Sequence, residues 1–299
     1  MKIYQYDAFS TEPNKGNPAG VVLDADDLTE DGMQSIAAAV GFNETAFICR
    51  SQIADVRIRY FTPGHEMNLC GHGTVASLIA LYQQRSLADI KTIETKAGII
   101  EAAIRIRDAG ASVIMEQLPA EFVRFEGDVS KLASALGINT QDIDPSLPIA
   151  YGSTGIWTLL VPIKKLACFK KMVPANKVFP ELLTQFRHAS IHPFCLEVVN
   201  PGAQMHGRHF SSPFSGTIED PVTGTASGVM GAYYLNFISR RKSASIVVEQ
   251  GQEIGRNGFV TVNVVPSNGQ INVAIEGTGV FVKEIVLRNS RDAIAGCPA

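Results

Sequence analysis

No CxxC pair occurs among the five cysteines (Cys49, Cys70, Cys168, Cys195, Cys297), and their odd number and scatter exclude a disulfide framework or a zinc knuckle. Buried thiols are the plain account of most of them, with Cys70 set apart by its neighbours Gly71-His72. No GxGxxG follows a strand pattern and no GxxxxGK(S/T) is present, so nothing supports nucleotide binding. Charge of one sign is not in excess: 26 Lys and Arg stand against 29 Asp and Glu, a net charge of −3, with no basic run to follow a phosphate backbone. Nucleic acid is therefore not an expected partner. Apolar stretches such as residues 75–82 fall well short of the roughly 20 residues a membrane helix needs. Met1-Lys2-Ile3-Tyr4-Gln5-Tyr6-Asp7 turns polar too early for a signal peptide and no small-residue cleavage site follows, which leads to the expectation of a cytoplasmic protein with no membrane partner.

What is present is the composition of a folded protein. The chain has 299 residues, about twice a common domain size, with 45% hydrophobic and 18% charged residues, which excludes disorder for its bulk. Lys2-Ile3-Tyr4-Gln5-Tyr6 alternates like a strand and leads through a Gly/Pro/Asn-rich loop to a second strand at Ala19-Gly20-Val21-Val22-Leu23. Residues 28–40 read as a helix, with Thr29 as N-cap, Met33, Ile36, Ala37 and Val40 on one face, and Gly41 as the stop. Residues 56–61 alternate with period two and predict a strand ended by Thr62-Pro63-Gly64. Residues 71–82 are apolar on nearly every side, which predicts a helix buried inside its domain. Strands are expected at residues 90–95, 99–107 and 112–117.

A search for repeats adds a second level of order. Arg59-Tyr60-Phe61-Thr62-Pro63 recurs about half the chain later as Arg208-His209-Phe210-Ser211-Ser212-Pro213, and Gly73-Thr74-Val75-Ala76-Ser77 recurs at nearly the same offset as Gly224-Thr225-Ala226-Ser227. Each copy is a strand, a polar loop and then a small, apolar helix, the second spanning residues 226–237. Duplication accounts for two ordered matches better than coincidence. Two domains are expected, residues 1–118 and 119–299, with a last strand near 280–287 crossing back to the first.

Three polar side chains stand out. Glu44 lies among Phe42, Ala46, Phe47 and Ile48, where desolvation would poise a carboxylate for proton transfer, although a strand glutamate facing solvent accounts equally for this segment alone. His72 sits between two glycines at the start of the buried helix, where backbone N–H groups attract anions; a capping histidine is the alternative. Asp220 occupies the matching loop before the second helix, a position that the helix dipole also favours for a purely structural carboxylate. Two helix starts facing each other would bring His72 and Asp220 together. The adjoining Glu219 is not expected to be catalytic, because neighbours on an extended segment point to opposite faces.

Phe9-Ser10-Thr11-Glu12-Pro13-Asn14-Lys15-Gly16-Asn17-Pro18, Asn43-Glu44-Thr45-Ala46-Phe47, Phe61-Thr62-Pro63 with Cys70-Gly71-His72, and Glu219-Asp220-Pro221-Val222-Thr223-Gly224 together resemble the PhzF (phenazine biosynthesis) family, in order and over nearly the whole chain. The resemblance implies an α+β fold like that of diaminopimelate epimerase: two similar domains related by a pseudo-twofold, each a mainly antiparallel sheet rolled around a central helix, with the active site between them. It implies an isomerase without cofactor or metal, commonly a homodimer, acting on a small carboxylate-bearing substrate. The best-known member isomerises trans-2,3-dihydro-3-hydroxyanthranilate. By the same resemblance Glu44, His72 and Asp220 are catalytic, and Gly71, Gly73, Gly224 and Thr225 bind substrate. Asn43 and Thr225 depart from the serine frequent at those positions.

Two other chemistries remain to be weighed. A racemase working with two thiols needs a cysteine at each helix start, and only Cys70 is supplied. A metal-dependent hydrolase would use His188, His192, His206 and His209, whose spacing can place imidazoles together, but Pro193 and Pro201-Gly202 interrupt the stretch and structural histidines are the simpler account. A non-catalytic small-molecule binding protein on the same fold is the remaining alternative.

Overall fold

Gly41 stops the first helix because, at φ +74°, it takes the left-handed conformation that glycine enters without steric penalty, and its N–H closes back on the Ala37 carbonyl. That helix, α1 (Glu30–Val40), begins at Thr29, whose hydroxyl accepts from the Gly32 N–H. It lays Met33, Ile36 and Ala37 against Ile3, Val22, Phe47 and Phe61. The computed structural model describes residues 1–108, 110–239 and 241–287, so Cys297 lies outside the described residues. The chain divides into two units, residues 1–115 with the stretch from Gly277 onward, and Glu116–Glu276.

In the first unit the strands are β1 (Ile3–Ala8), β2 (Asn17–Val22), β3 (Glu44–Cys49), β4 (Val56–Phe61), β5 (Glu66–Met67), β6 (Thr92–Thr95), β7 (Gly98–Arg107) and β8 (Gly110–Glu116). Hydrogen bonding runs β1–β2–β3–β4–β6–β7–β8, parallel at β2/β3 and β4/β6 and antiparallel elsewhere. The end of the last strand, β18 (Gln270–Ile285), pairs with both β1 and β8 and closes the sheet into a barrel. Inside it lies α2 (Gly71–Arg85), whose residues from His72 to Leu81 are all buried. This explains the all-round apolarity: every face of α2 meets sheet, and no face is left for charge.

The second unit repeats the plan. Its elements are β9 (Glu121–Arg124), α3 (Val129–Leu136), β10 (Ala150–Ser153), β11 (Trp157–Pro162), α4 (Phe179–Leu182), β12 (Ser190–Cys195), β13 (Met205–Gly207), β14 (His209–Phe210), β15 (Glu219–Asp220), α5 (Gly224–Tyr233), β16 (Ala244–Gln250), β17 (Gly258–Ser267) and the start of β18. Pairing runs β10–β11–β12–β13–β16–β17–β18, parallel at β11/β12 and β13/β16, the same sequence of directions as in the first unit. The Gln117 and Ala120 N–H groups donate to Val273 and Ile271, so the segment leading into β9 joins this sheet to its own far edge. The enclosed helix is α5, buried on nearly every residue and packed on β16 and β17.

Gly231 of α5 shows how close that packing is, since a Cβ there would overlap Val262. Overpacking of this kind costs about 1–3 kcal/mol, against about 1 kcal/mol gained when alanine replaces a helical glycine. Gly231→Ala is therefore expected to lower the urea midpoint, whereas propensity alone would raise it.

Candidate active site

Cys70 caps α2. Its backbone is extended (φ −139°, ψ 116°) and its Sγ accepts from the Gly73 N–H at 3.2 Å, in place of the hydroxyl or carboxylate oxygen usual at an N-cap. The Thr74 hydroxyl donates to the Cys70 carbonyl at 2.7 Å, so at 2.6 Å the buried Tyr60 hydroxyl must be the donor to Thr74. That chain anchors the helix start to β4. His72, at the second helical position, is thereby fixed with Nδ1 3.5 Å and Nε2 3.9 Å from the Cys70 sulfur.

Glu44 reaches the same point from the first residue of β3, its Oε2 3.1 Å from His72 Nε2. The two atoms are close but poorly aligned, and Oε2 is buried without a directed hydrogen bond. Burial penalises the charged imidazole, yet the Cys70 sulfur and the Glu44 carboxylate outweigh it and hold His72 well above the usual histidine range. An imidazolium at a helix N-terminus opposes the dipole, and the adjoining carboxylate compensates for it. Burial pushes the Cys70 thiol up. The first unit thus juxtaposes a carboxylate able to accept a proton and an imidazolium able to donate one. Gly73, expected to bind substrate, has its N–H taken by Cys70, and its Cα faces the Tyr60 ring.

In the second unit Thr223 caps α5 and makes no side-chain cap bond, its hydroxyl donating instead to Asp220 Oδ2 at 2.5 Å. Gln250 clamps the same loop: its Nε2 donates to the Asp220 carbonyl at 2.7 Å and its Oε1 accepts from the Thr223 N–H at 3.2 Å. Neither Gln250 nor Thr223 was singled out by sequence, although Glu249-Gln250-Gly251 follows the repeated helix and marks the place. The Ser227 hydroxyl donates to the Thr223 carbonyl at 2.9 Å, as Thr74 does to Cys70. The helices therefore correspond as Cys70 to Thr223, Gly71 to Gly224 and His72 to Thr225, two residues out of step with the Gly-Thr match in the sequence.

Arg59 and Arg208 do correspond as the sequence suggests. Arg59 stacks over Phe61 and bonds Glu66 of β5; Arg208 stacks over Phe210 and grips Glu219 of β15 with two nitrogens, at 2.9 and 2.6 Å. Glu219 is thus held on Arg208, while Asp220 is held by Thr223.

The chain matches the phenazine biosynthesis-like (PhzC-PhzF) family over residues 6–285. It belongs to the PhzF family. It is 52% identical over 289 residues to the uncharacterized isomerase YfhB of Bacillus subtilis, covering 96% of this chain and 98% of that one. A crystal structure of a Bacillus anthracis phenazine biosynthesis protein of the PhzF family superposes with a TM-score of 0.92 at 51% identity, covering 95% of this chain and 98% of that one. The trans-2,3-dihydro-3-hydroxyanthranilate isomerase of Pseudomonas aeruginosa is 28% identical over 281 residues, 93% of this chain and 96% of that one. The fold is diaminopimelate epimerase-like, and the chain is an isomerase of the PhzF family.

Among the described residues the four histidines considered for a metal-dependent hydrolase do not form a group of three or more ligand atoms within reach of one ion, and nothing supports that alternative in this PhzF-family chain. His188 stacks on Phe214, with ring centroids 4.3 Å apart. His206 donates to Glu249 at 2.9 Å and to Glu253 at 3.2 Å; burial works against its charge, and the two carboxylates outweigh it and raise its pKa. His192 is buried and His209 half-buried, with their Nδ1 atoms 3.1 Å apart. Burial pushes both below the usual range, His192 far below, with the nearby imidazoles adding to the effect there and Asp220 opposing it at His209.

A histidine whose folded pKa is depressed stabilises the fold above its unfolded pKa, about 6.5, and loses that contribution as pH falls towards the folded value. His206, with its pKa raised, acts in the opposite sense, so variant and wild type must be compared pH by pH. Relative to wild type, His192→Leu is expected to gain stability as pH falls from 7 to 5. Urea midpoints at each pH check this, and a constant difference would show that His192 takes up no proton on unfolding.

Proposed function

We propose that the chain moves a proton between two carbons of a small, carboxylate-bearing and cyclic substrate, without metal or organic cofactor, as a relative of trans-2,3-dihydro-3-hydroxyanthranilate isomerase. The observation that carries this reading is the 3.1 Å approach of Glu44 to His72 at the start of an enclosed helix. Glu44 is the base. A carbon acid is weak, so the charge that develops as its proton leaves must be met by fixed donors. His72 supplies one such donor, and Asp220 is assigned to orient the substrate and assist the proton's return. The backbone at Gly71 and at Gly224-Thr225 is assigned to the carboxylate, since the first N–H groups of a helix suit an anion. One carboxylate acting as base and then acid suits an isomerisation, because the first half of the reaction leaves it protonated and able to deliver a proton in the second.

The test is turnover of trans-2,3-dihydro-3-hydroxyanthranilate and a panel of cyclic carboxylates by chelator-treated protein, followed by NMR. Formation of a double-bond isomer at undiminished rate is expected. Activity that appears only when a metal is restored would contradict the reading. The enzyme is also assigned as a homodimer, which light scattering tests directly.

A further inference from the structure

Cys70, His72 and Glu44 are, among the described residues, a group of sulfur, nitrogen and oxygen donors whose ligand atoms all lie within 4.8 Å of one another. We propose that they form a three-donor site for a thiophilic divalent cation of the zinc type, and that a cation held there takes the Glu44 lone pair away from substrate. The inhibitory half rests on the assignment of Glu44 as the base; the site itself does not.

The distances suit such an ion. Cys70 Sγ is 3.9 Å from His72 Nε2, which is 3.1 Å from Glu44 Oε2. With bonds of about 2.3 Å to sulfur and about 2.0–2.2 Å to nitrogen and oxygen, a tetrahedral zinc separates these pairs by about 3.6 and 3.4 Å. Shifts of a few tenths of an ångström bring these two pairs to that geometry, and the third pair, the sulfur and the Glu44 carboxylate, lies within 4.8 Å. Glu44 Oε2 is a buried oxygen with no directed hydrogen bond, an acceptor whose lone pairs lack an aligned donor. The other two donors are held in advance, Cys70 by its place as the helix cap and His72 by the helix itself. A set of one sulfur, one nitrogen and one oxygen selects zinc or cadmium over magnesium and calcium, which prefer oxygen alone. On binding, the Cys70 thiol and the His72 imidazolium each release a proton to solvent, and the sulfur and Nε2 lone pairs pass to the metal. Three protein ligands leave a fourth position for water or a substrate carboxylate.

The experiment titrates the metal-free full-length protein with Zn²⁺ by calorimetry and with Cd²⁺ by ultraviolet absorption, in the absence of substrate. One cation per chain is expected, with a thiolate-to-cadmium absorption band that vanishes in Cys70→Ser. Zinc affinity should fall at least about 10-fold in Cys70→Ser and in His72→Asn, and Mg²⁺ should give no heat. Should circular dichroism show His72→Asn unfolded, Glu44→Gln serves in its place. Absence of binding, a band that survives Cys70→Ser, or equal affinity in the variants would overturn the site. Zinc that binds stoichiometrically without slowing turnover would overturn its inhibitory role. Because binding is read without substrate, a protein that binds zinc and turns over no carboxylate would defeat the assigned reaction and leave the cation site standing.

Discussion

With Glu44 assigned as the base, Glu44→Gln is expected to lower kcat by roughly 10²- to 10⁴-fold, the usual worth of a positioned general base, and to leave KM little changed. Glutamine preserves the shape of the side chain and its place at the head of β3, so loss of turnover reports loss of the proton acceptor and not of the fold. Steady-state kinetics with matched circular dichroism checks it. His72→Gln is expected to cost less, because it removes the neighbouring acid and keeps the carboxylate. Glu219→Ala is expected to retain the wild-type kcat where the protein stays folded, since that carboxylate is held on Arg208. Full turnover by Glu44→Gln, or its loss in a folded Glu219→Ala, would contradict these assignments.

Arg208→Met lowers the stability of the second unit by about 3–5 kcal/mol, the cost of leaving one half of a buried ion pair without its partner. Arg208 and Glu219 are 8% and 11% exposed, and the guanidinium also donates to the Phe169 and Met172 carbonyls at 2.7 and 3.2 Å. Removing it strands a carboxylate and takes a donor from two backbone carbonyls at once, of which that of Phe169 keeps the Met172 N–H. At about 2–4 °C per kcal/mol for a unit of this size, the midpoint of its thermal transition drops by about 6–20 °C. Arg59→Met, the corresponding change in the first unit, costs less, because one of its two carboxylate partners, Glu30, is 67% exposed. The double variant Arg208→Met/Glu219→Leu recovers much of the loss, since apolar side chains of similar volume replace a buried pair at little cost. Scanning calorimetry of wild type and the three variants decides the matter, and an unchanged transition in Arg208→Met would show the pair to be unimportant.

Much of the fold is legible in the sequence because enclosure leaves a clear trace. A helix with no polar face has to lie inside sheet, and both α2 and α5 do. The strand at residues 56–61 and the Gly41 stop follow from period and backbone freedom alone. The pairing of Glu44 with His72 is not local. It depends on β3 running parallel to β2 beyond α1 and delivering its first residue to the start of α2, which no short window of sequence encodes. Cysteine is also not a usual cap, so the position of Cys70 beside His72 suggests proximity and not the hydrogen bond it makes. The repeat is visible at Arg59 and Arg208, yet at the helix starts the letters mislead. Gly-Thr recurs in both halves, while the physical equivalence lies between the two capping residues, Cys70 and Thr223, whose carbonyls accept from Thr74 and Ser227.

The most direct measurement of the central claim is the entry of solvent deuterium into the product carbon that gains the proton, followed by NMR in D₂O for wild type, Glu44→Gln and Asp220→Asn. Wild type should isomerise the substrate and introduce deuterium over repeated turnovers, as the proton held by Glu44 exchanges with solvent. Asp220→Asn should slow conversion while deuterium still enters, because the base remains, and Glu44→Gln should show neither. Deuterium entering that carbon in Glu44→Gln at the wild-type rate would contradict the account, since another group would then be taking the proton.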